Sequence, residues 1–166
     1  MRKFNRLSQI CLLVRDLDEA VKKYWEVLGI GPWRFHNLKP PLLRDAVYYG
    51  KRVSPEWWLA VAKLENTDFE LIQPVKGPSI YEDYLRRHGE GCLHHMKYIV
   101  DNVPEAVAEY EKRGIRAIQS GKFGEDEFAF FDTESTFGWV LEVSLSAAEA
   151  AERLPPPEKT YPPTVK

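Results

Sequence analysis

The sequence predicts an α+β fold made of two tandem modules, each running strand, helix, hairpin. Three observations predict it. First, the chain repeats itself: QICLLVRDLDEAVKKYWEVLGI (9–30) aligns with HMKYIVDNVPEAVAEYEKRGI (95–115) at an offset of 86 residues, so that Gln9 meets His95, Val14 meets Val100, Glu19-Ala20-Val21 meets Glu105-Ala106-Val107 and Tyr24 meets Tyr110. Second, each copy changes from a β-like run to helical spacing of its apolar residues. Third, each helix is followed by apolar runs split by a polar turn, the signature of a hairpin.

Taken in order, the first strand is ICLLV and ends at an aspartate that serves as a helix N-cap. Leu17, Ala20, Val21, Tyr24 and Leu28 then recur at helical spacing up to Gly29, which can take the left-handed C-cap conformation. WWLAVAKL, the turn Glu65-Asn66-Thr67 and DFELIQP form the first hairpin, stopped at Pro74. A short linker helix is expected from Ser79 to about His88, with Gly89 and Gly91 releasing the chain. The second module repeats the plan with Val103, Ala106, Val107 and Tyr110 in its helix, Gly114 after it, and EFAFF, DTEST and GWVLEVSL as its hairpin. The expected division is 1–75 for the first module, 76–91 for the linker helix, 92–146 for the second module and 147–166 for a Pro-rich tail. Within that tail SAAEAAERL is expected to form a helical turn or two and the rest to be extended or disordered. The stretch 36–58 has no counterpart in the second module and is expected to be an irregular insertion, a pocket wall or lid.

Composition narrows the function. The chain has 166 residues, 44% hydrophobic and 13% aromatic, enough for a core, with 23 Lys and Arg against 25 Asp and Glu. A net charge of −2 without blocks of either sign gives no general attraction to nucleic acid or an anionic membrane. No apolar run approaches the roughly 20 residues that span a bilayer, so a cytoplasmic protein is expected. Cys11 and Cys92 have no metal-type spacing and read as buried apolar residues.

Four polar residues interrupt apolar strands: Gln9 before ICLLV, Glu70 inside FELI, His95 before MKYIV and Glu142 inside VLEVSL. The repeat pairs Gln9 with His95 and Glu70 with Glu142, so a pseudo-twofold packing would bring all four together as an N/O ligand set for a divalent ion such as Zn, Ni, Co or Mn. Two carboxylates buried without a cation would cost several kcal/mol or be driven to protonate. Alternation turns His94 to the other face, His36 and His88 read as surface residues, and Trp33, Trp57, Trp58 and Trp139 as core or interface.

The double strand, D/N-x-x-E-A-V-x-x-Y, G-I unit, with FELIQP, GEGCLHHMKYIVDN and GWVLEVSL, resembles the vicinal oxygen chelate superfamily, the glyoxalase, bleomycin-resistance and extradiol dioxygenase group. The resemblance implies two βαβββ modules whose curved mixed sheets surround a metal. LRRHGEGCLHHMKYIVDNVPEAV is most similar to the methylmalonyl-CoA epimerase family, which implies metal ligands at Gln9, Glu70, His95 and Glu142. That family has histidine at the first of these positions, and the Gln, Glu, His, Glu set found here is similar to some glyoxalase I (lactoylglutathione lyase) enzymes. Both chemistries remove a proton next to a carbonyl, implying Glu142 and Glu70 as catalytic carboxylates, with Glu56 as a further non-ligand acid or base. The expectation is a metal-dependent epimerase acting on an acyl-CoA, ahead of a glutathione-conjugate lyase and of a non-catalytic drug-binding module. Homodimerisation is expected. Lys51, Arg52, Arg86 and Arg87 are generic candidates for phosphate groups.

Overall fold

The repeat reappears in strand pairing. A computed structural model describes residues 4, 7–124, 126–145 and 155–163. In chain order the elements are β1 (Leu7–Leu13), α1 (Leu17–Leu28), β2 (Trp33–Leu38), β3 (Leu43–Tyr48), β4 (Lys51–Arg52), β5 (Glu56–Leu64), β6 (Thr67–Lys76), α2 (Ile80–His88), β7 (Leu93–Ile99), α3 (Val103–Glu111), β8 (Ala117–Phe123), β9 (Asp126–Phe131), α4 (Glu134–Phe137), β10 (Val140–Ser144) and β11 (Lys159–Tyr161). Removing β3 and β4 leaves β1-α1-β2-β5-β6 against β7-α3-β8-β9-β10, two βαβββ modules as the resemblance implied. All strands join one mixed sheet in the order β11-β2-β5-β6-β1-β7-β10-β9-β8-β3-β4. The modules meet where β1 pairs antiparallel with β7, and Ile10 lies opposite Met96, its own mate at the repeat offset. The pseudo-twofold axis therefore passes between these two residues.

Each module helix starts on a capping side chain and covers the outer face of its half. Asp16 accepts from the Glu19 amide and Asn102 from the Glu105 amide, both at 2.9 Å, satisfying amides that the helix leaves unpaired. Gly29 closes α1 at φ 68°, a left-handed conformation that a side chain would disfavour. Leu17 and Val21 pack on Trp33, Phe35, Ala60 and Leu71, and Val103, Ala106 and Tyr110 pack on Ala129, Phe131, Leu141 and Val143.

The opposite face curls around a third cluster. β2 and β3 are eight strand positions apart, about 38 Å in a flat sheet at ~4.8 Å per strand. Yet only residues 39–42 separate them in sequence, a reach of at most about 18 Å from Leu38 to Leu43. The sheet must bend back on itself. Inside the curl α2, N-capped by Ser79 as expected, sets Ile80, Tyr81, Tyr84 and Leu85 against Trp57, Leu59, Phe128 and Phe130.

Several expectations change. The 36–58 stretch is not irregular: β3 and β4 form within it, and β3 pairs with β8 of the other module. Leu43 and Ala46 supply apolar residues to the interior, which is why this segment orders as strand. His36 is buried in β2 opposite Leu59 rather than on the surface, and burial, with Arg34, lowers its pKa. Cys11 is buried, whereas Cys92 is exposed. In the tail, residues 159–161 pair with β2, where the Lys159 ammonium lies over the Phe35 ring at 4.6 Å. The helical turn expected over 146–154 lies outside the described residues. Among the described residues no helix is long and apolar enough to cross a membrane.

Replacing Asn102 with Ala removes the α3 cap and is expected to lower stability by about 1 kcal/mol. The change should appear as a lower urea midpoint at unchanged slope. Asp101→Ala, one residue outside the cap, should leave the midpoint in place.

Candidate metal centre

Strand register decides which side chains meet inside the curl. Cys11 lies opposite Glu70 on β6 and opposite His95 on β7. Gln9 lies opposite Asp68 and Lys97, and Lys97 lies opposite Glu142 on β10. Directly paired residues share a face, so all these side chains stand on the inner face, where Leu13, Ile72 and Val140 join the interior cluster. The pseudo-twofold exchanges Gln9 with His95, Cys11 with Lys97 and Glu70 with Glu142.

Glu70, His95 and Glu142 converge. The His95 Nε2 is 3.0 Å from a Glu142 carboxylate oxygen and 3.5 Å from one of Glu70. None of the three residues is more than 7% exposed. Although both oxygens are close, this buried nitrogen makes no well-aligned hydrogen bond to either. The Cys11 Sγ, a Glu70 oxygen and a His95 ring nitrogen all lie within 4.8 Å of one another. A buried nitrogen without a hydrogen bond, facing oxygens and a sulfur, suits a shared divalent cation. Gln9 is buried on the same face, one cross-strand pair from the row of Glu70, Cys11 and His95.

His94 contradicts simple alternation. The register of β1 against β7 steps from Cys11 opposite His95 to Leu12 opposite Leu93, so His94 is the extra residue of a β-bulge. Its Nδ1 is 2.8 Å from the His95 Nδ1. Burial and the neighbouring His95 push the His94 pKa well down, and a neutral His94 accepts from the His95 Nδ1–H in the tautomer that carries its own proton on Nε2. That bond fixes the His95 ring with Nε2 toward the carboxylates, the role an outer partner plays for a metal-ligating histidine. Phe130, with its ring 5.1 Å from that of His95, and the ladder Trp57, Tyr81, His94 wall the cluster with rings.

Charge is balanced locally. Burial opposes protonation of His95, yet Glu142 and Glu70 raise its pKa; burial likewise opposes ionisation of Glu70, yet His95 and Lys97 lower its pKa. Lys97, partly buried, keeps a raised pKa through Glu142 and Glu70 against the cost of burial.

Sequence reasoning missed Cys11, Lys97 and Asp68 on this face. The signal was present, because Cys11 and Lys97 stand two residues beyond Gln9 and His95 and are themselves repeat mates. Glu56 does not join the cluster. It starts β5, five residues before Val61, the residue opposite Glu70, or roughly 17 Å along the strand. There it accepts from the Asn37 amide at 3.1 Å and pairs with Lys39 at 3.6 Å. Of the basic residues, Arg87 is engaged by Glu134 through two bonds of 2.5 and 2.7 Å.

Comparison with known proteins agrees with this architecture. The family model described as Glyoxalase/Bleomycin resistance protein/Dioxygenase superfamily matches residues 8–131. The chain is 29% identical over 118 residues to mitochondrial methylmalonyl-CoA epimerase of Mus musculus, covering 70% of this chain and 57% of that protein. It is 26% identical over 117 residues to ethylmalonyl-CoA/methylmalonyl-CoA epimerase of Cereibacter sphaeroides, covering 70% and 77%. The chain thus spans a little over half the length of the mouse relative. A solved Streptomyces coelicolor methylmalonyl-CoA epimerase variant in complex with 2-nitronate-propionyl-CoA shares the fold at a TM-score of 0.61, with 22% identity over 88% of this chain and 97% of that one.

In metal-free protein the ion pair fixes the pH response. Stability from the raised His95 pKa is complete below its ordinary value of about 6.5 and is lost as pH rises through the higher folded value. Stability from the lowered Glu70 pKa is present above about 4.5 and is lost as pH falls through the lower folded value. In the presence of chelator, the advantage in melting temperature of wild type over His95→Gln should be greatest between these limits and shrink above about 6.5. A constant advantage from pH 5 to pH 9 would contradict the ion pair.

Proposed function

The chain belongs to the Glyoxalase/Bleomycin resistance protein/Dioxygenase superfamily, and from that membership we propose that it is a divalent-metal-dependent epimerase that removes and returns the proton next to the carbonyl of an acyl-CoA such as methylmalonyl-CoA. The observation that carries this reading is the meeting of Glu70, His95 and Glu142 across the pseudo-twofold, with His95 Nε2 within 3.5 Å of both carboxylates. The 29% identity with the mouse epimerase supports the substrate class. Gln9, Glu70, His95 and Glu142 are the proposed holders of the ion.

When bound, a divalent ion there supplies Lewis-acid stabilisation of the negative charge that develops on the substrate carbonyl oxygen. The chain does the rest. Inverting a carbon centre needs a group that takes a proton on one face and a group that returns one on the other. Glu70 on β6 and Glu142 on β10 are related by the pseudo-twofold and approach His95 from opposite halves of the sheet, so one serves as base and the other, once protonated, as acid. Lys97 contributes a positive charge beside Glu142 on the same face. His94 holds the His95 ring in place, and Trp57, Tyr81 and Phe130 exclude water. Every one of these residues comes from one chain.

The burial of the cluster favours one second reading, a closed metal site that fastens the two modules together without turnover.

Incubating the purified protein with methylmalonyl-CoA in D₂O is expected to place deuterium at the carbon between the carboxylate and the thioester. Glu142→Gln should lower kcat by about 10²–10⁴-fold. Metal-loaded protein that exchanges no proton would support the closed site instead, and turnover of a glutathione hemithioacetal without acyl-CoA exchange would move the assignment to the lyase.

A further inference from the structure

Cys11 enters none of the roles assigned so far, yet it stands at the middle of the centre. It is fully buried and lies directly opposite both Glu70 and His95 in the strand register, whereas Gln9 lies one cross-strand pair away. Its sulfur lies within 4.8 Å of a ligand atom of each of those two residues. The buried His95 Nε2 lies 3.0 Å from Glu142 and 3.5 Å from Glu70 yet makes no well-aligned hydrogen bond to either, the arrangement that a cation shared among them would take. Lys97, the residue that the pseudo-twofold pairs with Cys11, stands on the same face beside the carboxylates of Glu142, Glu70, Asp126 and Asp68, a surplus of negative charge that favours a cation here.

We infer that Cys11 binds the metal ion through its sulfur as a thiolate, together with Glu70 and His95, making the centre a mixed sulfur, nitrogen and oxygen site. The inference rests on the metal reading of the proposed function. Coordination releases the thiol proton to solvent and forms a metal–sulfur bond, with no change of oxidation state. Sulfur in the ligand set selects Zn²⁺ and Co²⁺ over Mg²⁺ and Mn²⁺, a preference that an amide oxygen in the same place would not confer.

Cobalt tests this without recourse to activity. The 166-residue chain, stripped of metal and titrated with Co²⁺, is expected to bind one equivalent and to develop a sulfur-to-cobalt charge-transfer absorption in the near ultraviolet. Cys11→Ser should lose that absorption and bind cobalt at least about tenfold more weakly, a loss no smaller than that from removing an outer partner of a ligand. Cys92→Ser, at the exposed cysteine, should retain the absorption. Stoichiometric cobalt without the absorption, or an absorption that survives in Cys11→Ser, overturns the assignment of Cys11 and leaves the metal reading intact. Failure of the wild-type chain to bind cobalt, zinc or nickel overturns the metal reading itself. Should Cys11→Ser not fold, the cadmium NMR resonance of the wild-type chain decides: a shift typical of thiolate coordination is expected, and one typical of oxygen and nitrogen ligands alone overturns the assignment.

Discussion

Antiparallel pairing of β1 with β7 is the constraint on which the rest depends. It places Ile10 against Met96 and so sets the axis that relates the two modules. Because side chains alternate along a strand, one register choice turns Gln9 and Cys11 inward together with His95 and Lys97. A slip of one residue would send all four to the outer face, beneath α1 and α3, where the apolar clusters leave no partner for a charge. The parallel pairings of β6 with β1 and of β10 with β7 then carry Glu70 and Glu142 to the same centre from opposite sides. The link between β2 and β3 bends the sheet, and α2 fills the curl.

The centre is costly by design. Bringing carboxylates out of water carries a penalty of several kcal/mol each unless positive charge meets them. His95 and Lys97 stand beside them in the metal-free chain, and the carboxylates raise the pKa of both against the cost of burial. A divalent ion would take over the role of the His95 proton, since the nitrogen that faces both glutamates is the one the ion needs. The bulge at His94 is part of the same economy: an extra residue in β7 places the His94 Nδ1 against His95 Nδ1 and leaves Nε2 facing the carboxylates.

Much of this was legible in the sequence, and for an identifiable reason. Both helices, with their caps at Asp16 and Asn102, and the hairpin around Glu65 are local features whose signals lie within a few residues. The repeat carried longer-range information, because matching Gln9 to His95 and Glu70 to Glu142 anticipates a shared centre without knowledge of the fold. What escaped depends on pairing between distant strands. The 36–58 segment is proline-rich in sequence, yet it becomes strand because β8 of the other module offers an edge to β3. His36 has loop-like neighbours but is buried by β5, and residues 159–161 form a strand by pairing with the edge of β2. Cys11 passes for an apolar residue until the register sets it between Glu70 and His95.

The central claim is that the inner face of the curled sheet holds a metal ion between the two modules. Metal content measured by mass spectrometry, on protein purified without chelator or a nickel affinity step, tests it most directly when set beside a Glu70→Ala/Glu142→Ala double variant of matched fold. Close to one equivalent of a divalent transition metal in the wild type, absent from the variant, is the expected result. Protein that is metal-free as purified and takes up none of Zn²⁺, Co²⁺ or Ni²⁺ on addition, or a variant that retains its metal, would contradict it.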